Sequence, residues 1–313
     1  MFGAALLGAL HSIDTNDFTL YAGTSIGAII GALLAIGYTP LELLRVITTE
    51  PCLVSNVDLS LVDRFGVVSQ NTVRELVERL FQKTKARTFQ DIYETFGKEL
   101  IVVGTNLSHQ KAVYFQRKDF PDMDVVDALM ISSCVPMVFP YIVYENDIYV
   151  DGFVTDNFPI RYVTETTKDL KITGINICKK GVPDSIDTMG AYFTTLFNTF
   201  VGSKTGYLPS YEIHVSSTSN NQLHADPNTL MSLFDQGFQQ MITQKALKEQ
   251  EEQKVNSKNE CSRSTADPQR NRQTPVDQRH VQPERFRSSF MTSTYCPSFL
   301  GRNLIHTVTV LKI

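Results

Sequence analysis

A chain of 313 residues with 42% hydrophobic and 20% charged residues has the composition of an ordinary globular protein and can bury a core in one large domain or two modest ones. Its formal net charge of −4 offers no field for a polyanion, so nucleic-acid partners are not expected. The five cysteines, Cys52, Cys134, Cys178, Cys261 and Cys296, are odd in number and lack C-x-x-C spacing, which argues against a disulfide framework or zinc site and for a reducing, intracellular setting.

From Phe2 to Ile13 the apolar residues Phe2, Leu6, Leu7, Leu10 and Ile13 recur at helical spacing and predict a helix with one buried face. This opening has no basic leader or cleavage site and does not read as a signal peptide. "DFTLYAG" reads as a buried strand, and "SIGAIIGALLAIG" as a helix apolar on nearly every side that belongs in the middle of the fold. The apolar run from Gly27 to Tyr38 is about a dozen residues, short of the roughly 20 that span a bilayer.

Two outer helices follow, "YTPLELLRVIT" and "SQNTVRELVERLFQ", the second with Ser69 or Asn71 as its N-cap candidate. "KELIVVGTNL" and "QKAVYFQR" predict strands, "DVVDALMISSCV" a helix stopped by Pro136, and "DIYVDGF" a strand leading into a turn. Ser132 and Ser133 read as residues that end that helix. "DLKITGINIC" and "YEIHVSS" add strands, with "MGAYFTTLFNTFVG" between them as a core helix or a lipid-facing one. The basic residues of "VERLFQKTKAR" read as a solvated helix face. The alternation predicts a three-layer α/β/α domain over residues 1–245 around a central, mostly parallel sheet.

Beyond Lys245 the chain is nearly empty of aliphatic residues, and residues 246–289 are expected to be disordered. Residues 290–313 end in a strand-like pattern that fits either an edge strand or an end foreign to the fold.

The chemistry centres on Gly23-Thr24-Ser25-Ile26-Gly27, between a predicted strand and a predicted helix. A serine at so sharp a strand-to-helix turn presents its hydroxyl above the sheet edge, and flanking glycines let the backbone crowd there. The helix start turns free amides and a positive dipole end toward the same point. The alternative is a tight turn built from small residues. A serine nucleophile needs a base. His11, His109, His214, His224, His280 and His306 all lie away from turns rich in glycine and polar residues. Asp151, at the end of a strand and followed by Gly152, is the better candidate; its alternative is a plain Asp-Gly turn. No carboxylate or histidine cluster suggests a metal, and no cofactor is expected.

"GTSIG", the block "SSCVPMVFPYIVYENDIYVDGFVTDNFP", the "GTNL" strand end and the opening "GAALLGALHSI" stand in an order that resembles the patatin-like phospholipase family, over roughly Met1 to Lys245. The resemblance implies a Ser-Asp dyad without histidine, with Ser25 as nucleophile, Asp151 as general base and an acyl-enzyme intermediate. It implies hydrolysis of acyl esters of phospholipids or related lipids, of the phospholipase A or lysophospholipase type, by a protein in peripheral contact with membranes. The amide of Ile26, and that of Gly3 as a further candidate, would hold the oxyanion, while Gly23, Gly27 and Gly152 support the motif. An aspartate of ordinary pKa near 3.9 is a poor base at neutral pH unless burial raises its basicity, so proximity and oxyanion stabilisation must do most of the work.

Two features depart from the family pattern. Members carry a strand and a G-G-G-x-[R/K]-G loop at the domain start, of which only the last glycine is matched, by Gly3. Phe153 stands where members carry Gly or Ala. The first departure sets up two expectations: a true start upstream of Met1, or a catalytically impaired relative that binds lipid or a partner without turnover.

Overall fold

The sheet of this protein is organised around β1 (Phe18–Thr24), whose seven residues are buried except for a half-buried Thr19. The structure is a computed structural model that describes residues 3–50, 58–167, 171–179, 209–215, 226–264 and 307–312, with the single positions Tyr192, Thr195, Leu196 and Thr199. One compact unit comprises Met1–Lys245 with Ile305–Ile313, and a second comprises Ala246–Leu304.

In the first unit, β1 lies parallel to β2 (Glu99–Asn106) on one side and to β8 (Thr307–Lys312) on the other. β8 in turn pairs in parallel with β6 (Lys171–Lys179), and β6 with β7 (Tyr211–Val215). The remaining strands are antiparallel: β3 (Lys111–Gln116) and β5 (Asp147–Asp151) both pair with β2, and β4 (Ile142–Tyr144) pairs with β5. Followed through hydrogen-bonded neighbours the strands run β4-β5-β2-β1-β8-β6-β7, with β5 and β1 end to end on one edge of β2 and β3 on its other edge. Thus the core of the sheet is parallel and its β2 flank is built from hairpins.

Side-chain alternation along β1 and β2 divides the core into two faces. Tyr21, Leu100 and Val102 join the large cluster that contains most of the helices. Leu20, Ala22 and Ile101 point the other way, toward Phe158, Ile160 and Val163 around α7 (Ile160–Thr166). These two helix-covered faces are the layers the alternating sequence pattern predicts. On the large face lie α1 (Gly3–His11), α2 (Ile26–Ala35), α3 (Pro40–Thr49), α4 (Asn71–Phe81), α5 (Phe89–Phe96), α6 (Val125–Ser132) and the first part of α8 (Pro227–Ser264). α2 is buried from Gly27 to Ala35, as its all-round apolar surface requires. α1 is buried not on one face but continuously from Ala4 to Leu10, between its neighbours α2, α3 and α8.

Several elements differ from expectation for local reasons. The N-cap of α4 is Gln70, between the two predicted caps, and it makes no capping bond. Its Nε2 instead donates to Met130 O and Ser133 Oγ, while Ser69 Oγ accepts the Asn71 amide. β4 and β5 form a hairpin whose turn residues Glu145 and Asn146 both take positive φ, 48° and 68°; this matches a primed turn, though only Asn146 advertises it. α5 is held by a capping box between Thr88 and Asp91.

The segment expected to be disordered from residue 246 begins within α8, which extends to Ser264. Glu, Gln, Lys and Ala between 246 and 255 are good helix formers even with no apolar face to bury, and all of these residues but the half-buried Lys248 are exposed. The rest of the segment expected to be disordered lies outside the described residues, as does most of "MGAYFTTLFNTFVG". β8 is not an edge strand: it is inserted between β1 and β6, with Thr309 and Leu311 fully buried.

Candidate active site

β2 carries two different partners along one edge. Over Ile101–Asn106 its other edge is taken by β3, so β1, which ends at Thr24 opposite Val103, and β5, which ends at Asp151 opposite Gly104, share the same side. Being parallel and antiparallel to β2, respectively, they run toward each other. Their ends meet beside two consecutive residues of β2, which brings Ser25 and Asp151 together from distant parts of the sequence.

Ser25 follows β1 directly and is the N-cap of α2, with φ 56° and ψ −128°. Such a backbone is strained for a residue with a Cβ, at a cost on the order of 1–3 kcal/mol, and it is the geometry that a sharp strand–turn–helix elbow demands. Gly23 makes the turn possible: a Cβ there would come within 2.7 Å of the Ala28 nitrogen and of the Gly27 carbonyl carbon. Gly27 gives similar clearance to β8, since a Cβ on it would lie 2.9 Å from Leu311 O. The amide of Ile26, the first residue of α2, has no intrahelical acceptor by position in the helix. Gly3, the first residue of α1, packs against Ile26; a Cβ on it would lie 3.3 Å from Ile26 Cγ1. The start of α1 thus packs on the first residue of α2, next in the chain to Ser25.

Asp151 is fully buried. Its backbone is fixed on both sides, the amide donating to Cys134 O at 2.8 Å and the carbonyl accepting from Thr105 Oγ1 at 2.9 Å. Oδ1 accepts the Phe153 amide at 2.9 Å, while Oδ2 has no hydrogen-bond partner. Burial pushes the carboxyl pKa up to about 7, partly opposed by the Phe153 amide and the nearby Ser25 hydroxyl, which favour the charged form. Ser25 and Asp151 thus stand close enough for the serine hydroxyl to act on the carboxyl. Gly152 lies directly against the Val103 carbonyl of β2, where a side chain would collide with backbone. Phe153, flagged above as a departure, contributes through its amide, which any residue other than proline supplies; its ring is half-buried.

Ser132 departs from its expected role. It is fully buried at the last position of α6, and its Oγ accepts the Ser25 amide at 2.8 Å. Ser133 is the helix-ending residue, its hydroxyl donating to Leu129 O. Nothing in the pair "SS" told the two apart, because the distinction lies in which hydroxyl faces β1. Among the described histidines, His11 packs on Phe234 and Phe238, His109 pairs with Asp147, and His214 lies on β7 beside Glu212. Among the described residues no group of three His, Cys, Asp or Glu side chains is placed to hold a metal ion. No described helix is long and apolar enough to cross a membrane.

A parallel-cored α/β/α sheet with a strained serine elbow facing a buried aspartate defines a class of fold and site shared by many hydrolases. A match to the patatin-like phospholipase family extends over residues 1–164, slightly more than half of the chain, and the protein belongs to that family. It is 33% identical over 210 residues to "Probable lipid hydrolase 463L" of Invertebrate iridescent virus 6, covering 64% of this chain and 68% of that protein. It is 29% identical over 186 residues to "Uncharacterized protein R571" of Acanthamoeba polyphaga mimivirus, covering 56% of this chain and 62% of the other. Among solved structures, VipD from Legionella pneumophila is similar with a TM-score of 0.49 at 14% identity, over 78% of this chain and 64% of that one. The chain therefore spans just under two thirds of each of the last two proteins.

Proposed function

We propose that this protein is a serine-dependent lipid acyl hydrolase working through a Ser25–Asp151 dyad. The observation that carries the reading is the meeting of the Ser25 elbow with a buried carboxylate whose Oδ2 is unpartnered and whose pKa lies near 7. A base poised near the working pH combines a useful ionised fraction with real proton affinity. Family membership and the lipid hydrolase name of the iridescent virus relative support acyl lipids as substrates.

In the proposed reaction Ser25 Oγ attacks the ester carbonyl carbon while Asp151 takes its proton. The negative charge on the carbonyl oxygen is met by the amide of Ile26, with Gly3 beside it, at the positive ends of α2 and α1. As the tetrahedral intermediate collapses, the C–O bond to the leaving group breaks and the proton passes from Asp151 to the departing alcohol or lysolipid. Water, deprotonated by Asp151, then attacks the acyl-enzyme; the proton returns to Ser25 Oγ and the fatty acid leaves.

The substrate we infer is a phospholipid or lysophospholipid, met through peripheral contact with a membrane inside the cell; the cysteine pattern supports that setting. Incubating the protein with phosphatidylcholine vesicles and measuring released fatty acid tests the activity, with Ser25→Ala and Asp151→Asn as controls. Release by the wild type that both variants lack supports the dyad; release that survives Ser25→Ala excludes it.

A further inference from the structure

We infer that the C-terminal end of α6 is a brace that sets the nucleophile against its base, and that Ser132 is the positioning residue within it. The inference rests on the assignment of Ser25 as nucleophile.

Ser25 lies just past both ladders of β1. The last pair with β2 is Thr24 with Val103, and the last with β8 is Gly23 with Leu311. The helix that follows uses the Ser25 carbonyl, which accepts the Ile29 amide at 3.1 Å, but gives no acceptor to the Ser25 amide. The Ser132 hydroxyl takes that amide at 2.8 Å, from a fully buried side chain. Two residues on, the Cys134 carbonyl takes the Asp151 amide, also at 2.8 Å. One short segment, Ser132 to Cys134, therefore holds the backbones of both members of the pair.

The segment is itself anchored. Gln70 reaches across from the start of α4 to bond Met130 O at 3.0 Å and Ser133 Oγ at 3.1 Å, satisfying groups at the end of α6. At the other end of α6, Asp124 caps the Val126 amide and pairs with Arg87. The Cys134 thiol donates to Pro140 O at 2.8 Å, which closes the loop beyond. With its amide fixed and its φ and ψ strained, the Ser25 backbone has little freedom to rotate as a unit, so the direction of its Cα–Cβ bond relative to Asp151 is set before substrate arrives. The gain from such positioning appears in turnover, not in substrate binding.

The test compares Ser132→Thr with Ser132→Val, side chains of nearly equal shape of which only the first retains the accepting oxygen. Ser132→Ala, smaller than the native residue, guards against overpacking in both. The readouts are kcat and KM for fatty-acid release from a soluble short-chain ester, the rate of Ser25 labelling by a fluorophosphonate, and the melting temperature. The brace predicts kcat and labelling rate for Ser132→Val and Ser132→Ala about 10-fold or more below Ser132→Thr, at similar KM and with no matching loss of melting temperature. Equal turnover in Thr and Val variants, or losses that follow melting temperature alone, would overturn it. If the wild type neither turns over ester nor takes the label, the nucleophile assignment itself fails, a result distinct from a wild type that is active and indifferent to Ser132.

Discussion

Thr24 and Asp151 pair with consecutive residues of one strand, Val103 and Gly104, although 126 residues separate them in the chain. Because β1 and β5 run in opposite senses along that edge, their ends are driven together. The next residue after β1 is Ser25, on a strained turn, and the last residue of β5 is the buried carboxylate. The pair is thus a product of register: a shift of β5 by two residues along β2 would carry Asp151 about 7 Å from the elbow.

Removing the carboxylate tests the proposed base without disturbing this register. Asp151→Asn keeps the side-chain volume and the Oδ1 acceptor for the Phe153 amide. Turnover is expected to fall by on the order of 10²- to 10⁴-fold at pH 7.5, as measured by fatty-acid release, with circular dichroism unchanged. Activity within a factor of a few of wild type would remove Asp151 from the mechanism.

The raised pKa of Asp151 also has a signature in pH. The base must be ionised, so kcat/KM should climb through an apparent pKa near 7 and level off above it, the limb disappearing in the residual activity of Asp151→Asn. Stability should move the opposite way. Between the unfolded pKa near 4 and the folded value near 7, the folded protein binds the extra proton, so stability declines as pH rises through this window and is flat beyond it. The full effect is about 4 kcal/mol. Thermal melts of wild type and Asp151→Asn should therefore draw apart in favour of the variant from pH 5 to pH 8; a constant difference would show that the carboxyl does not titrate there.

Gly23→Ala tests the elbow. Its Cβ would meet helix backbone at 2.7 Å, which no rotamer change can relieve. A loss of about 1–3 kcal/mol is expected in chemical denaturation, together with a fall in turnover larger than the loss of folded protein explains. Wild-type turnover in this variant would mean the turn is less tightly determined than its geometry implies.

Much of this arrangement is legible in the sequence because it is local. "FTLYAGTSIGAIIGALLA" announces a buried strand, a small-residue turn and a buried helix within one window, and the elbow follows from their juxtaposition. Asp151 at a strand end before glycine can likewise be marked as a candidate. Register is what the sequence hides. Nothing in "VVGT" shows that one of its edges is shared by two strands, and nothing in "ISSCV" shows that the first serine faces the nucleophile while the second turns back on its own helix. α8 escaped notice because its charged continuation past Lys245 outweighs, by composition, the short apolar stripe of Leu230, Leu233, Phe234 and Met241 that docks it.

β8 is the clearest case of a strand whose place could not be read from pattern. Half of "TVTVLK" suits a central strand, but its partners lie far away in sequence, and Thr309 brings a buried hydroxyl without a hydrogen-bond partner. Since β8 bridges β1 and β6, removal of Ile305–Ile313 should leave two unpaired parallel edges next to Gly27 and abolish cooperative melting, with aggregation visible by size-exclusion chromatography. An unchanged melting temperature in the truncated protein would show that the sheet does not depend on it.

The most direct test of the dyad is intact-protein mass spectrometry after exposure to a fluorophosphonate at a series of pH values. The account predicts a single adduct on Ser25, formed at a rate that rises through pH 7 in the wild type and is lost in Asp151→Asn. Labelling of Ser25 at equal rates in wild type and Asp151→Asn across that range would contradict it.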